Sequence, residues 1–181
     1  ILSEMKAGDL LTHCFHGQDE GVLDDDGHVR ASVRSAVARG VHLDVGHGQG
    51  SFSWGVAEAS MAQGLVPATI SSDLHAYNVD GPVYDLATTL SKFLCLGLSL
   101  EDALRRCTAT PAEILGMSGQ VGTLAPGACA DVAVFREDDG PHVFEDAHGR
   151  ERTGERRLVP VKVVKSGRVL DAVARGTHHH H

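Results

Sequence analysis

No run of about 18 uninterrupted apolar residues occurs in this 181-residue chain, which argues against a transmembrane span. Basic residues are outnumbered 16 to 24, and the formal charge of -8 argues against a nucleic-acid partner, which normally requires a basic face. Cysteine is scarce: Cys14, Cys95, Cys107 and Cys129 lie far apart with no CxxC pair, so reduced thiols in a cytoplasm fit better than a disulfide framework. Two of them read as core residues. The opening Ile1-Leu2-Ser3-Glu4-Met5-Lys6 has neither an initiator methionine nor the basic end and apolar centre of a signal peptide, and reads as a start in mid-chain. His-x-His is absent outside the terminal run His178 to His181, which reads as a purification tag spanning 176–181. No internal repeat of fixed period is present.

What is present is a core-sized apolar fraction of 42% and an ordered alternation of strand and helix patterns. Residues 9–15 form an apolar run that reads as a buried strand, with Leu11, His13 and Phe15 on one face. The acidic, glycine-bearing 17–27 segment reads as a solvated loop. Val29, Val33 and Val37 recur at helical spacing before Gly40, and Val41, Leu43 and Val45 alternate as a second strand. A second helix carries Trp54, Ala57, Met61 and Leu65, and 68–72 is a third strand. Such alternation with short connections is the pattern of βα units on a parallel sheet.

Asp85 and Ser99 are placed to cap two further helices, one with Leu86, Leu90, Phe93 and Leu94, the other with Leu100, Ala103, Leu104 and Cys107. Thr110-Pro111-Ala112-Glu113 reads as a capping box. From Gly119 the composition becomes β-prone, with runs at 130–135, 142–145 and 159–165 and turn signals at Asp139-Gly140, His148-Gly149 and Ser166-Gly167. The expected organisation is therefore 1–118 as βα units with closing helices, then 119–175 as a small β domain.

The chemistry gathers in the stretch 41–75. An apolar strand running into Asp44-Val45-Gly46-His47-Gly48 ends in an acid and an imidazole, and the next ends in Ser71-Ser72-Asp73-Leu74-His75. Parallel sheets build their sites at such strand ends, so His13, His47, Asp73 and His75 are expected to meet at one mouth. Imidazole nitrogen and carboxylate are the donors a zinc-type ion prefers, and an adjacent carboxylate can take a proton from metal-activated water. The Gly46 to Gly50 segment lacks the lysine and Ser/Thr of a phosphate-cradling loop. His16, His28 and His42 read as loop, surface or structural residues, Asp24 to Asp26 as a solvated turn, and His142 and His148 as lying far from the mouth.

Several motifs in a fixed order then carry a resemblance: Gly8-Asp9-Leu10-Leu11-Thr12-His13-Cys14-Phe15-His16-Gly17, Asp44-Val45-Gly46-His47-Gly48, Ser71-Ser72-Asp73-Leu74-His75 and Gly81-Pro82-Val83-Tyr84-Asp85-Leu86. With Thr108-Ala109-Thr110-Pro111-Ala112 and the glycine-rich passage from Gly122 to Val132, they resemble the amidohydrolase superfamily, in its dihydroorotase-like amidohydrolase/deacetylase branch. The resemblance implies an α/β fold, the C-terminal part of a metal-dependent (β/α)₈ TIM barrel followed by a small composite β domain. It also implies one or two divalent ions, usually Zn2+. His13 and Asp73 would bind metal, Asp73 would also be the catalytic proton shuttle, and His47, His75, Gly46, Gly48 and Asn78 would lie beside the substrate. The superfamily's first-strand His-x-His, bridging ligand and fifth-strand histidine have no counterpart, and would precede Ile1. The missing N-terminal half of the barrel is thus an expected partner, alongside a small-molecule substrate and a second copy of the parent protein.

The activity so implied is hydrolysis of a non-peptide amide or ester, as in deacylation of an N-acyl or O-acyl small acid. Cyclic amide hydrolysis of the dihydroorotase or hydantoinase type stays open beside it. So does a different class, a catalytically inactive fragment or dihydroorotase-like assembly partner.

Overall fold

The computed structural model describes residues 1–171; the end of the expected β domain (172–175) and the tag run lie outside the described residues. After a single helical turn at Leu2–Glu4 the elements are β1 (Leu10–Leu11), α1 (Ala31–Ala38), β2 (His42–Leu43), α2 (Trp54–Ala62), α3 (Leu86–Cys95), α4 (Leu100–Cys107), α5 (Ala109–Ile114), β3 (Val132–Glu145), β4 (Glu151–Lys165) and β5 (Arg168–Asp171). The arrangement is mixed α/β.

β1 and β2 pair in parallel, Leu10 opposite His42 and Leu11 opposite Leu43. Parallel bridges then join Asp44 to Thr69 and His47 to Ser72, so 69–72 is the third parallel segment. The alternation expected through residue 15 stops early. His13 adopts φ 58, which reverses the chain and sends fully buried Phe15 into the core while His13 stays half-buried above it. A non-glycine residue in the left-handed region is strained, and such strain collects at functional sites.

The helices follow their caps. The Asp85 carboxylate accepts from Thr88 N at 2.7 Å, Ser99 Oγ accepts from Asp102 N at 3.1 Å, and Ser53 Oγ accepts from Val56 N at 3.4 Å. The expected capping box at Thr110 is not formed: α5 begins at Ala109, its cap residue is Thr108, and no side chain closes it. Pro111 then sits in the first turn, where its missing N–H would have had no intrahelical partner. In α1 the buried residues are Val33 and Ala36, whereas Val37 is exposed and Val29 precedes the helix in a bridge to Leu23.

β3, β4 and β5 form an antiparallel sheet in that order. Asp139-Gly140, expected as a turn, instead lies within continuous β3, where the register with β4 shifts between Asp139 and His142 as a bulge. The charged start of β4, which lacks an apolar signal, is held by its ladder to β3. Ser166 (φ 50) and Gly167 (φ 77) make the tight β4–β5 turn, whose two left-handed positions match the strand twist.

One core joins the parallel segments, the helices and the sheet. Fully buried Phe52 meets Trp54 edge-on at 5.3 Å and Phe93 at 6.0 Å, and Phe93 lies 6.3 Å from Phe15. Phe144 of β3 and Leu158 of β4 join the same cluster, so the hairpin packs on α3. Each such side chain contributes roughly 1.5–3 kcal/mol through burial. The four cysteines are free, with Cys14 alone fully buried.

The hairpin turn is fastened by Asp146, which is 1% exposed. Its carboxylate accepts from Trp54 N at 3.0 Å, His148 N at 2.8 Å and Arg150 N at 3.0 Å. Burial opposes its charge, but these backbone donors outweigh it and leave its pKa below the ordinary 3.8. Because the folded value is depressed, this contribution to stability is complete above 3.8 and lost as pH falls through the folded value. Thermal melts in acid of the wild type and Asp146→Asn are expected to converge as pH falls, with the variant the less stable at neutral pH. Parallel melting curves over that range would count against it.

Candidate active site

The mouth of the three parallel segments is organised by Asp44. Its buried carboxylate receives Thr69 Oγ1 at 2.5 Å on one oxygen, and Thr12 Oγ1 and Ser71 Oγ, each at 2.7 Å, on the other. Hydroxyls from both neighbouring segments thus converge on the middle one. Ser71 Oγ in turn accepts from Gly46 N at 3.1 Å.

Above this network the backbone 46–48 forms a short platform. Ser51 Oγ donates to Gly46 O at 2.9 Å and accepts from Gly48 N at 2.7 Å. Gly46 has φ +52, and a Cβ there would collide with Thr12 Oγ1 and come within 2.8 Å of His13 Nδ1. A Cβ on Gly48 would stand 3.1 Å from Asp73 Oδ2. His13 and Asp73 therefore flank the same platform, and the two glycines are what allow them that close.

Each flank is held. His13 Nδ1 lies 2.7 Å from Gly46 O. A carbonyl can only accept, so Nδ1 carries the proton, and in the neutral imidazole Nε2 presents its lone pair, as in histidines that bind metal. The Asp73 side chain is exposed, while its backbone N donates to His47 O at 2.9 Å. His75 is half-buried, and its Nδ1 accepts from Tyr77 N at 3.2 Å, which leaves Nε2–H as a donor.

Two expected substrate neighbours have other employment. Asn78 is fully buried, accepting from His75 N at 2.9 Å and donating to Asp73 O at 2.8 Å, so it ties the 73–78 loop together. His47 is also fully buried, stacked at 4.7 Å on Phe52, with Nδ1 3.0 Å from Gly48 O and Nε2 2.8 Å from Lys92 Nζ. Both of its nitrogens are engaged within the protein. Burial lowers its pKa to about 3, with the Lys92 charge adding to the effect.

Lys92 was not singled out in the sequence. The available signal was its being the sole charge in Leu86–Cys95, a helix otherwise apolar or hydroxylic. Burial draws its pKa down to about 7, against the pull of Asp146 and Glu145. His148 lies in the turn between β3 and β4. The turn containing it folds back so that its Nε2 lies 2.8 Å from the point a Gly17 Cβ would occupy, and Ala147 N donates to Phe52 O at 3.0 Å.

Among the described residues, a group of three metal-capable side chains occurs at Asp24, Asp26 and His28, within 4.8 Å of one another. Asp24 Oδ1 accepts from the backbone N–H groups of Asp26 and His28. A cleft of about 420 Å³ opens beside the Asp44 network, lined by Leu10, Ser71, Leu86 and Ile114 among others, without His13 or Asp73.

In sequence and in fold the chain is a member of the amidohydrolase superfamily. Residues 96–171 match the Amidohydrolase family. The chain is 36% identical over 173 residues to a deacetylase of Enterococcus faecalis, covering 94% of this chain and 47% of that protein. Among solved structures, one described as an adenine deaminase superposes with a TM-score of 0.90 at 35% identity, covering 94% of this chain and 47% of that one. Another, described as a dihydroorotase, gives 0.80 at 32% identity, covering 98% and 46%. The chain thus spans about half the length of these relatives. Among the described residues no helix is long and apolar enough to cross a membrane.

Proposed function

We infer that the whole protein is a metal-dependent hydrolase that releases an acyl group from an N-acyl or O-acyl small acid. In this reading 1–118 is the last part of a (β/α)₈ barrel, 119–175 a small β domain, and the preceding barrel strands supply the remaining ligands. The observation that carries it is the His13 imidazole, strained at φ 58 and donating Nδ1–H to Gly46 O, which leaves Nε2 free beside the platform that Asp73 flanks.

The donor set fits a divalent ion such as Zn2+, since a neutral imidazole nitrogen and a carboxylate are ligands it prefers. Bound by His13 Nε2 and Asp73, the ion would supply Lewis acidity, lowering the pKa of water and polarising the acyl carbonyl. The rest is the work of this chain's residues. Asp73 accepts the proton of the attacking water on its carboxylate and returns it to the departing nitrogen or oxygen. His75 Nε2–H is available to hydrogen-bond the substrate's carboxylate or carbonyl. Gly46 and Gly48 keep the floor bare, so that substrate approaches the backbone closely. Four free thiols suit a reducing compartment such as the cytoplasm.

Metal analysis and turnover of the full-length protein against N-acyl acids, O-acyl acids, cyclic amides and adenine test this reading. The expected result is bound divalent metal, with acid release from acylated small acids that stops on chelation and returns with Zn2+. Turnover confined to cyclic amides or adenine would transfer the assignment to that chemistry. A metal-loaded protein inert to the whole panel would overturn it in favour of an assembly partner.

A further inference from the structure

Lys92 is 1% exposed, and its Nζ lies 2.8 Å from His47 Nε2, 2.9 Å from Pro82 O and 2.6 Å from Glu145 O. An ammonium has three hydrogens and no lone pair. Two of its partners are carbonyl oxygens, which can only accept, so the third hydrogen falls to the imidazole nitrogen. His47 Nε2 is therefore an acceptor and its own proton sits on Nδ1, where Gly48 O waits at 3.0 Å. The assignment closes with every donor matched to an acceptor.

We propose that Lys92 is a positioning residue for the hydrolytic site: by holding His47 in the Nδ1–H form it orients the Gly48 carbonyl and steadies the 46–48 platform that His13 and Asp73 flank. The functional half of this statement rests on the hydrolase reading above; the hydrogen-bond assignment does not. The link to the platform is covalent and short. His47 N donates to Ser71 O at 3.1 Å, and His47 O accepts from Asp73 N at 2.9 Å, so a turn of the imidazole is felt on both sides. Phe52 supports the ring from one face, with Lys92 Nζ 5.8 Å from the Phe52 centroid. The far end of the relay is the β3–β4 hairpin. Glu145 O receives Lys92, and the adjacent Asp146 grips Trp54 N, so the hairpin's seating is transmitted to the mouth through one ammonium.

Packing alone does not account for a lysine here. Burying an ammonium is unfavourable, and Leu or Met would fill the same space without that penalty. What lysine adds is three directed hydrogens.

The test uses ¹⁵N-histidine NMR of the protein, with the His47 signals identified by their loss in His47→Asn, together with steady-state kinetics of the metal-loaded full-length enzyme. In the wild type, at a pH below the Lys92 value of about 7, His47 is expected to show a protonated Nδ1 and a bare Nε2. Lys92→Met is expected to lose that single-tautomer signature and to lower kcat about 10–100-fold, with KM within about threefold. A His47 proton on Nε2, as a neutral lysine amine would require, overturns the proposal. So does a folded Lys92→Met with unaltered kcat. The wild-type spectrum decides by itself should that variant fail to fold. A wild type with the expected signature that hydrolyses nothing overturns the hydrolase reading and its positioning role, while the Lys92–His47 assignment stands.

Discussion

Asp73→Asn is expected to lower kcat of the metal-loaded enzyme by about 10³-fold, near 4 kcal/mol of transition-state stabilisation. An amide cannot take the proton of the attacking water at neutral pH, and as a neutral ligand it also holds a divalent ion less firmly. The fold has little to lose by the change. The Asp73 side chain is exposed, and the loop is held by its backbone, which donates to His47 O and accepts from Asn78 Nδ2. The melting temperature should therefore stay within about 2 °C of wild type, since surface substitutions shift stability by only about 0.5 kcal/mol. Kinetics, metal content and a melt on one preparation check all three statements. Retained turnover at unchanged metal content would remove Asp73 from the mechanism.

The second large effect is on stability. Asp44→Ala is expected to destabilise the protein by about 3 kcal/mol, lowering the melting temperature by roughly 6–12 °C. The carboxylate accepts three hydroxyls at 2.5–2.7 Å, from residues on both sides of its own strand. Hydrogen bonds to a charged group contribute about 1.5–3 kcal/mol each, and relief of the buried charge offsets part of their loss. Thr69, 3% exposed, would be left without its acceptor, whereas Thr12 is exposed and Ser71 half-buried. Asp44→Asn keeps the shape and one acceptor and should lose only about 1–2 kcal/mol. Urea midpoints of the two variants measure the contrast. Equal losses would mean that the charge and the second acceptor oxygen, not the shape of the side chain, carry the stabilisation.

These two residues also show how unevenly the site can be read. Asp73 and His13 stand at the ends of apolar runs inside motifs that resemble a family, so the strand pattern picks them out, though not the left-handed turn at His13. The hydroxyls around Asp44 are another matter. Thr12, Thr69 and Ser71 are ordinary strand residues until parallel pairing, which bridges Asp44 to Thr69, brings them to one carboxylate. Lys92 and His47 lie 45 positions apart, and nothing local to either announces the other. The hairpin illustrates the converse. Its first half was legible as apolar β-runs, but the charged start of β4 becomes strand only because β3 offers a ladder.

By itself the sequence determined the helices capped by Asp85 and Ser99, the βα alternation, the turn at Ser166-Gly167 and the superfamily, because caps, periodicity and motif order are local or linear properties. The tertiary structure alone decided that His13 would turn out of its strand, that Asn78 and His47 would spend their polar atoms inside the protein, and that a hairpin would reach the mouth through Lys92. Those outcomes depend on which buried donor finds which acceptor, and only the packed chain brings the two together.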